Sequence, residues 1–130
     1  MKILGIGVDI LENKRIKEAI KSDKFISRIY SSKEIKLSKK SKNKVAYFSK
    51  RFAAKEAFSK ALGTGFSSNL NFKDIEITND KKGMPKYIKN KKIIKIVENK
   101  YKIKSFNFFL SISDEKNYST AFVIIQSIWR

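Results

Sequence analysis

The chain has 130 residues, a hydrophobic fraction of 42% and a net charge of +18 at pH 7, which fits one domain with a core of its own. Because it contains no cysteine and no histidine, the sequence excludes disulfides, thiol nucleophiles, Ser/His/Asp triads and most zinc sites. Any catalysis must therefore use carboxylates, lysines or a hard metal ion.

The first predicted element is a buried strand at residues 2–10. Its even-numbered positions from residue 4 onward are apolar and form one face. Gly5 and Gly7 leave the other face bare, so that another segment or a ligand can approach the backbone. Asp9 stands at the end of that bare face. Asp9 to Glu12 also have the spacing of a capping box, so Asp9 could cap the next helix. Capping is compatible with a position of Asp9 beside a ligand.

A block of short helices is predicted to follow. Residues 12–20 have apolar positions at helical spacing, residues 25–29 suggest another helical turn, and Ser32 can cap a polar segment at 33–40. A lysine-rich loop at 38–44 then leads into the next helix. The outer side of the first helices is basic, with Arg15, Lys21, Lys24 and Arg28.

The longest predicted helix begins after Asn43, a plausible N-cap, and ends at the sequence Gly-Thr-Gly. On a helical wheel with about 100° per residue, apolar residues cover more than half of the circumference of this helix. This coverage predicts burial on more than one side. Arg51 and Lys55 fall inside this arc, where a desolvated cation is costly. Glu56 and Lys60 lie on its edge, and their plainer interpretation is an ion pair on a solvated flank, worth a few tenths of a kcal/mol.

The second half is predicted to contain two strands, a helix and a hairpin. Pro85 favours extended structure in the residue before it, and alternating apolar residues from 106 onward indicate the hairpin. The predicted elements are a strand at 72–78, a turn at 79–83, an extended segment from 84, a helix at 91–100 and strands on both sides of a turn at 114–117. This order indicates the α+β class.

The charge of +18 favours anionic partners such as nucleic acid, phosphate-rich cofactors or acidic proteins. The alternative is a codon effect: AT-rich codons encode lysine, isoleucine, asparagine and phenylalanine, so they produce a high lysine content without any selection for function. Asp9 closes the first apolar run too early for a signal peptide, and no segment is long and apolar enough to span a membrane. We therefore expect a soluble, cytoplasmic protein.

Asp9 and Glu56 are the carboxylates that would carry chemistry if the fold joins them. Neighbouring carboxylates repel each other unless a cation or a shared proton lies between them, and Mg²⁺ binds one or two carboxylates together with waters and phosphate oxygens. Lys55, Lys60 and the amides of residues 63–65 could bind further phosphate charge. The residues suggest magnesium-assisted phosphate transfer, although sequence spacing alone does not bring the two carboxylates together.

GIGVDI together with FSKRFAAKEAFSKALGTG resembles the holo-[acyl-carrier-protein] synthases, the small type of 4′-phosphopantetheinyl transferase. The family pattern is a glycine-rich strand ending in Asp, then an aromatic-basic-aromatic run, K-E-A-x-x-K and G-T-G. The similarity extends over the whole chain, through a G-x-P turn at 83–85 to the closing hairpin. It implies a single compact α+β domain over residues 1–130, with a long central helix packed on an antiparallel sheet.

The resemblance implies magnesium-dependent transfer of 4′-phosphopantetheine from coenzyme A to a serine of apo acyl carrier protein, releasing adenosine 3′,5′-bisphosphate, for fatty acid biosynthesis. By similarity, Asp9 and Glu56 hold Mg²⁺ and Lys60 stabilises the transferring phosphate. Glu56, or a water on the metal, takes the serine proton. The residues implied to bind coenzyme A are Arg51, Lys55, Lys60, Gly63, Gly65, Gly83, Pro85, Ser111 and Ser113.

The resemblance also implies partners. The acidic carrier would dock on Arg15, helped by Lys21, Lys24 and Arg28. The family is generally a homotrimer with active sites between subunits, which would explain the apolar central helix, and Asp114 stands where several members have histidine. The alternative is a basic α+β module that binds nucleic acid without catalysis. Against it, the aromatic residues fall at core spacing and not on an exposed stacking platform.

Overall fold

A computed structural model describes residues 1–63 and 70–128 of the chain. The predicted α+β class and the closing hairpin are confirmed. In chain order the elements are β1 (Lys2–Glu12), α1 (Asn13–Ala19), α2 (Asp23–Ile29), α3 (Ser32–Ser38), α4 (Lys44–Leu62), a 3-10 helix (Phe72–Asp74), β2 (Ile77–Asn79), β3 (Pro85–Tyr87), α5 (Lys91–Tyr101), β4 (Phe106–Asp114) and β5 (Tyr118–Ser127).

The main sheet has three antiparallel strands, with β5 between β1 and β4. The inner face of β5 is fully buried through Ala121, Val123 and Ile125, which pack in one core with α4. Strands β2 and β3 form a separate antiparallel ribbon. In the described parts of the chain, no helix is long and apolar enough to cross a bilayer.

Helix α4 lies between the sheet and the short helices. Its start and end are as predicted, because the Asn43 side chain accepts a hydrogen bond from the amide of Ala46 and Gly63 ends the helix in the left-handed conformation, with φ 76°. Ala54 and Ala57 are fully buried. The helix packs on β1 and β5 on one side and on α1 and α3 on another, which confirms burial on more than one side.

The prediction that another segment can approach the glycine face of β1 is confirmed, but the expected burial of its apolar face is wrong. The apolar face, expected to be buried, is open: Ile6 is 55%, Val8 54% and Ile10 67% exposed. The glycine face is the buried one, because a face without Cβ atoms lets the backbone of α4 approach closely. The apolar surface that the chain leaves uncovered therefore lies on the sheet. The expectation that a trimer would explain the apolar α4 is also wrong, since α4 is covered by its own chain.

Three local predictions need correction. Asp9 lies within β1 and does not cap α1, whose N-cap position is Glu12. Helix α3 is capped by Ser31, one residue earlier than expected, through a capping box with Glu34. The strand expected at 72–78 begins instead as a 3-10 helix, because the Asp74 carboxylate accepts a hydrogen bond from the amide at residue 71 and closes a turn there.

Candidate active site

The contact between β1 and α4 is made by main-chain atoms. A Cβ added to Gly7 would lie 1.8 Å from the carbonyl oxygen of Ala57, and one added to Gly5 would lie 2.2 Å from that of Ala61. Two residues of a strand span about 6.6 Å, and four residues of an α-helix span about 6 Å. Close contacts between β1 and α4 can therefore repeat at every second strand residue and every fourth helix residue. The next position on the glycine face is Asp9, which is thereby held against α4.

Asp9 and Glu56 line one cleft of about 400 Å³, which we call the carboxylate cleft. Its polar side is formed by these two carboxylates and Lys60. The other side is mainly apolar and comes from the end of β1, from α1 and α2, and from α4. The full lining is Asp9, Ile10, Leu11, Arg15, Ile16, Ala19, Phe25, Phe52, Glu56 and Lys60.

The charges in this cleft interact directly. The ammonium of Lys60 lies 3.1 Å from Asp9 Oδ1 and donates a hydrogen bond to the carbonyl of Val8. Among the described residues, the ion pair of Lys60 is thus with Asp9 and not with Glu56. Burial raises the pKa of the Glu56 carboxyl, the Asp9 charge raises it further, and Lys60 opposes both effects. The charge of Asp9 therefore acts on Glu56 across a partly buried cleft.

This donor set fits a hard divalent cation. Asp9 and Glu56 are oxygen donors that need a positive charge between them, and the Lys60 ammonium already supplies one beside Asp9. Residues 1–63 and 70–128 hold no cluster of three or more side chains able to bind a metal. The protein would thus supply two carboxylates, and waters and phosphate oxygens would fill the remaining positions, as Mg²⁺ prefers.

A second cleft, of about 340 Å³, contains Arg51, and we call it the arginine cleft. The Arg51 guanidinium lies 3.9 Å from the centre of the Tyr47 ring and donates a hydrogen bond of 2.9 Å to Asn79 Oδ1. Asn79 in turn donates to the carbonyl of Gly83. Arg51, Gly83 and Pro85, all predicted to bind coenzyme A, line this cleft together.

The Arg51 side chain is buried, and one of its donor atoms is unpaired in the part of the chain that the structure describes. It is 6% exposed, and its Nε has no hydrogen-bond partner among the described residues. Burial lowers its pKa, but an arginine keeps its charge at any physiological pH. The cleft is therefore lined by a buried cation.

Comparison with known proteins assigns the chain to a family. Residues 5–123 match the model of the 4′-phosphopantetheinyl transferase superfamily. The chain belongs to this superfamily. It is 64% identical over 126 residues to the holo-[acyl-carrier-protein] synthase of Pelagibacter ubique, across 97% of this chain and 98% of the relative. A holo-[acyl-carrier-protein] synthase of Wolbachia pipientis is 44% identical, across 95% and 97%.

Solved structures of the superfamily share the fold. The crystal structure of holo-[acyl-carrier-protein] synthase from Neisseria meningitidis aligns with a TM-score of 0.85 and 35% identity, covering 96% of this chain and 99% of that one. The Bacillus anthracis enzyme, crystallised in complex with CoA (3′,5′-ADP), aligns with a TM-score of 0.81 and 36% identity, covering 98% and 100%.

Not every residue expected from the superfamily pattern lies in a cleft. Ser111 and Ser113 are exposed on the outer face of β4, where Ser111 is paired with Phe122 of β5. Gly63 ends α4, and Gly65 lies outside the described residues. Lys55 is fully buried in an ion pair, which does not fit a contact with the nucleotide.

The basic residues expected to dock the carrier are all exposed on α1, α2 and the turn between them. Arg15 lines the carboxylate cleft. Lys24 and Arg28 line a groove between α2 and the 3-10 helix. Lys21 forms an exposed ion pair with Glu18 at 2.6 Å, which is worth little in water.

Tyr47 and Asn79 line the arginine cleft but were not predicted from the sequence. Asn79 precedes the G-x-P turn, and turns favour asparagine, but that signal does not reveal a hydrogen bond to Arg51. Tyr47 is one turn before Arg51 on α4, at the spacing that allows their side chains to meet.

Proposed function

We propose that the protein transfers the 4′-phosphopantetheine group from coenzyme A to a serine of apo acyl carrier protein. The serine oxygen forms a bond to the pantetheine-side phosphorus, the pyrophosphate P–O bond breaks, and adenosine 3′,5′-bisphosphate leaves. The meeting of Asp9, Glu56 and Lys60 in one cleft carries this proposal. The 64% identity to a holo-[acyl-carrier-protein] synthase supports it.

Asp9 and Glu56 would hold Mg²⁺. When bound, the ion would neutralise charge on the pyrophosphate oxygens. Glu56 would accept the proton of the incoming serine hydroxyl. The side chain of Lys60 is 55% exposed, so it is free to turn from Asp9 towards the transferring phosphate and stabilise the charge that develops there.

We infer that the arginine cleft binds the nucleotide end of coenzyme A. Arg51 provides a buried cation, and Gly83 and Pro85 also line the cleft. The relative from Bacillus anthracis was crystallised with CoA (3′,5′-ADP). A guanidinium suits the oxygens of a phosphate.

We also propose a homotrimer whose subunits meet on the outer face of the sheet. Val8 is 54% and Phe122 41% exposed, and the two residues pair across β1 and β5. A continuous exposed apolar face of this kind marks an association surface. Ser111 and Ser113 lie on the same face, so that in a trimer they would stand between subunits and near a neighbour's coenzyme A.

The carrier would reach the carboxylate cleft from the side of α1. Arg15 lines that cleft, and Lys24 and Arg28 are exposed on the adjacent helix. Positive charge along this path would attract an acidic carrier and orient its serine, mainly by raising the association rate. Cytoplasmic localisation remains a prediction from the sequence.

Mass spectrometry of the carrier tests the reaction. The protein is incubated with coenzyme A, Mg²⁺ and apo acyl carrier protein, and the carrier should gain one phosphopantetheine group. D9N and E56Q should each lower turnover at least about 100-fold without loss of folding, whereas E98Q on α5 should not change it. A wild-type protein that leaves the carrier unmodified, while a known synthase modifies it, would reject the function. Wild-type rates in D9N and E56Q would reject only the site.

A further inference from the structure

A buried ion pair between Glu34 and Lys55 has no role in the chemistry described above. The two side chains are 1% and 0% exposed, and Lys55 Nζ lies 2.7 Å from Glu34 Oε1. The ammonium also donates to the carbonyls of Phe72, at 3.0 Å, and Ile75, at 2.6 Å. All three N–H groups of Lys55 therefore have acceptors within the chain.

The Glu34 carboxylate is equally engaged. Its Oε1 also accepts a hydrogen bond from the amide of Ser31, at 2.9 Å, and its Oε2 accepts one from the amide of Ile77, at 3.0 Å. One carboxylate thus joins the start of α3, the middle of α4 and the start of β2. Buried ion pairs contribute little net stability compared with apolar residues of the same volume. What this pair supplies is the fixed placement of residues 72–77 against α4.

The segment held by the pair leads directly to the arginine cleft. Two residues after Ile77, Asn79 accepts the hydrogen bond from Arg51 and donates one to the carbonyl of Gly83. Arg51 and Lys55 are one turn apart on α4. Helix α4 therefore holds this segment at two points, through Lys55 at its beginning and through Arg51 at the rim of the cleft.

We propose that Glu34 and Lys55 are positioning residues for coenzyme A. They do not contact the substrate. They fix residues 72–79 so that Asn79 and Gly83 give the arginine cleft the shape that accepts the nucleotide end. This inference rests on the proposed function, because it assigns that cleft to the nucleotide.

The double variant E34Q/K55M tests the proposal. It removes both charges together, so that no buried charge is left without its partner, and folding should persist. The Michaelis constant for coenzyme A should rise about tenfold, while kcat and the Michaelis constant for the apo carrier stay within about twofold of wild type. A folded double variant with the wild-type Michaelis constant for coenzyme A would overturn the proposal.

The variant Y30F is the matched control. The buried Tyr30 hydroxyl donates to the carbonyl of Phe48 on α4 at 2.8 Å, and its ring centre lies 5.6 Å from Lys55 Nζ. Y30F thus removes a buried hydrogen bond in the same region, and the acceptor of that bond lies on α4 and not within residues 72–77. Y30F should keep the wild-type Michaelis constant for coenzyme A. An equal rise in Y30F and in the double variant would show general loosening and would also overturn the proposal.

Two further measurements keep the outcome decisive. If the double variant does not fold, E34D replaces it: the carboxylate keeps the charge of Lys55 paired but is one methylene shorter, so it cannot hold both Lys55 and the amide of Ile77 at their present distances. The Michaelis constant for coenzyme A must then still rise, and an unchanged value overturns the proposal. Amide hydrogen exchange at Ile77 needs no activity and should accelerate in the variant that folds. Accelerated exchange with unchanged coenzyme A kinetics would reject the positioning role, whereas an inactive wild-type protein would reject the proposed function itself.

Discussion

Replacing Gly7 with alanine tests whether the close approach of β1 and α4 builds the carboxylate cleft. The new Cβ would lie 1.8 Å from the carbonyl oxygen of Ala57 and 2.8 Å from the amide nitrogen of Ala61. Both are main-chain atoms, so neither a rotamer change nor truncation of Ala57 relieves the overlap. Ordinary contact begins at 3.4 Å, and the increase from 1.8 Å to 3.4 Å means that β1 and α4 must separate by about 1.6 Å.

The size of the effect follows from this geometry. Overpacking of a core costs about 1–3 kcal/mol, and we expect the upper end for Gly7→Ala because the overlap is with a helix backbone. For a chain of 130 residues, 1 kcal/mol corresponds to about 4 °C in Tm, so Tm should fall by about 10 °C. The separation would also move Asp9 away from Glu56, and misplacement of a reacting group by about 1 Å can lower turnover about 100-fold.

Thermal unfolding followed by circular dichroism measures the first effect, and carrier modification at saturating coenzyme A measures the second. Melting is compared at one protein concentration, because an oligomer makes Tm depend on concentration. G83A makes the same chemical change where a Cβ meets no atom within 4 Å and φ is 87°, and should cost only about 1–2 kcal/mol. A G7A protein that melts no lower than G83A and keeps full turnover would refute the reasoning.

Three further variants test separate parts of the site. K60M removes the ammonium beside Asp9 and should raise Mg²⁺ affinity without coenzyme A about threefold in calorimetry; weaker Mg²⁺ binding would contradict this. R15E should lower the association rate with the carrier about tenfold at low salt, and an equal loss in K95E, exposed on α5, would show that only net charge matters. F122D places a charge on the open sheet face and should reduce the mass in light scattering from a trimer to a monomer; an unchanged trimer would place the interface elsewhere.

The bounds of α4 could be predicted because their causes are local. An asparagine cap and a glycine in the left-handed conformation act within one turn of the helix ends. The C-terminal hairpin was also predictable, since alternation over many residues is a strong signal. The 3-10 helix at Phe72–Asp74 was not predicted, because the alternating isoleucines that follow it indicated a strand. The hydrogen bond from the amide of Asn71 to the Asp74 carboxylate closes a turn there instead.

The faces of β1 show why pattern alone was insufficient there. Alternation separates the residues of a strand into two faces, but it does not say which face another element covers. The apolar face was the natural choice for burial, yet the backbone of α4 fits only against Gly5 and Gly7. Lys55 shows a similar limit: its position inside the apolar arc was predicted, but its partner, Glu34, is 21 residues away along the chain.

Four of the charged residues of α4 lead to two clefts on different sides of one helix. Lys55 and Glu56 are neighbours, and at about 100° per residue their side chains leave the helix in different directions. Arg51 and Lys55 hold residues 72–79 and the arginine cleft, whereas Glu56 and Lys60 face Asp9 in the carboxylate cleft. Because a buried helix moves as a packed unit, any rotation of α4 about its axis alters both clefts at once. The glycine contacts with β1 and the buried pair with Glu34 restrain that rotation from opposite flanks, so the geometry of the carboxylate cleft and that of the arginine cleft depend on each other.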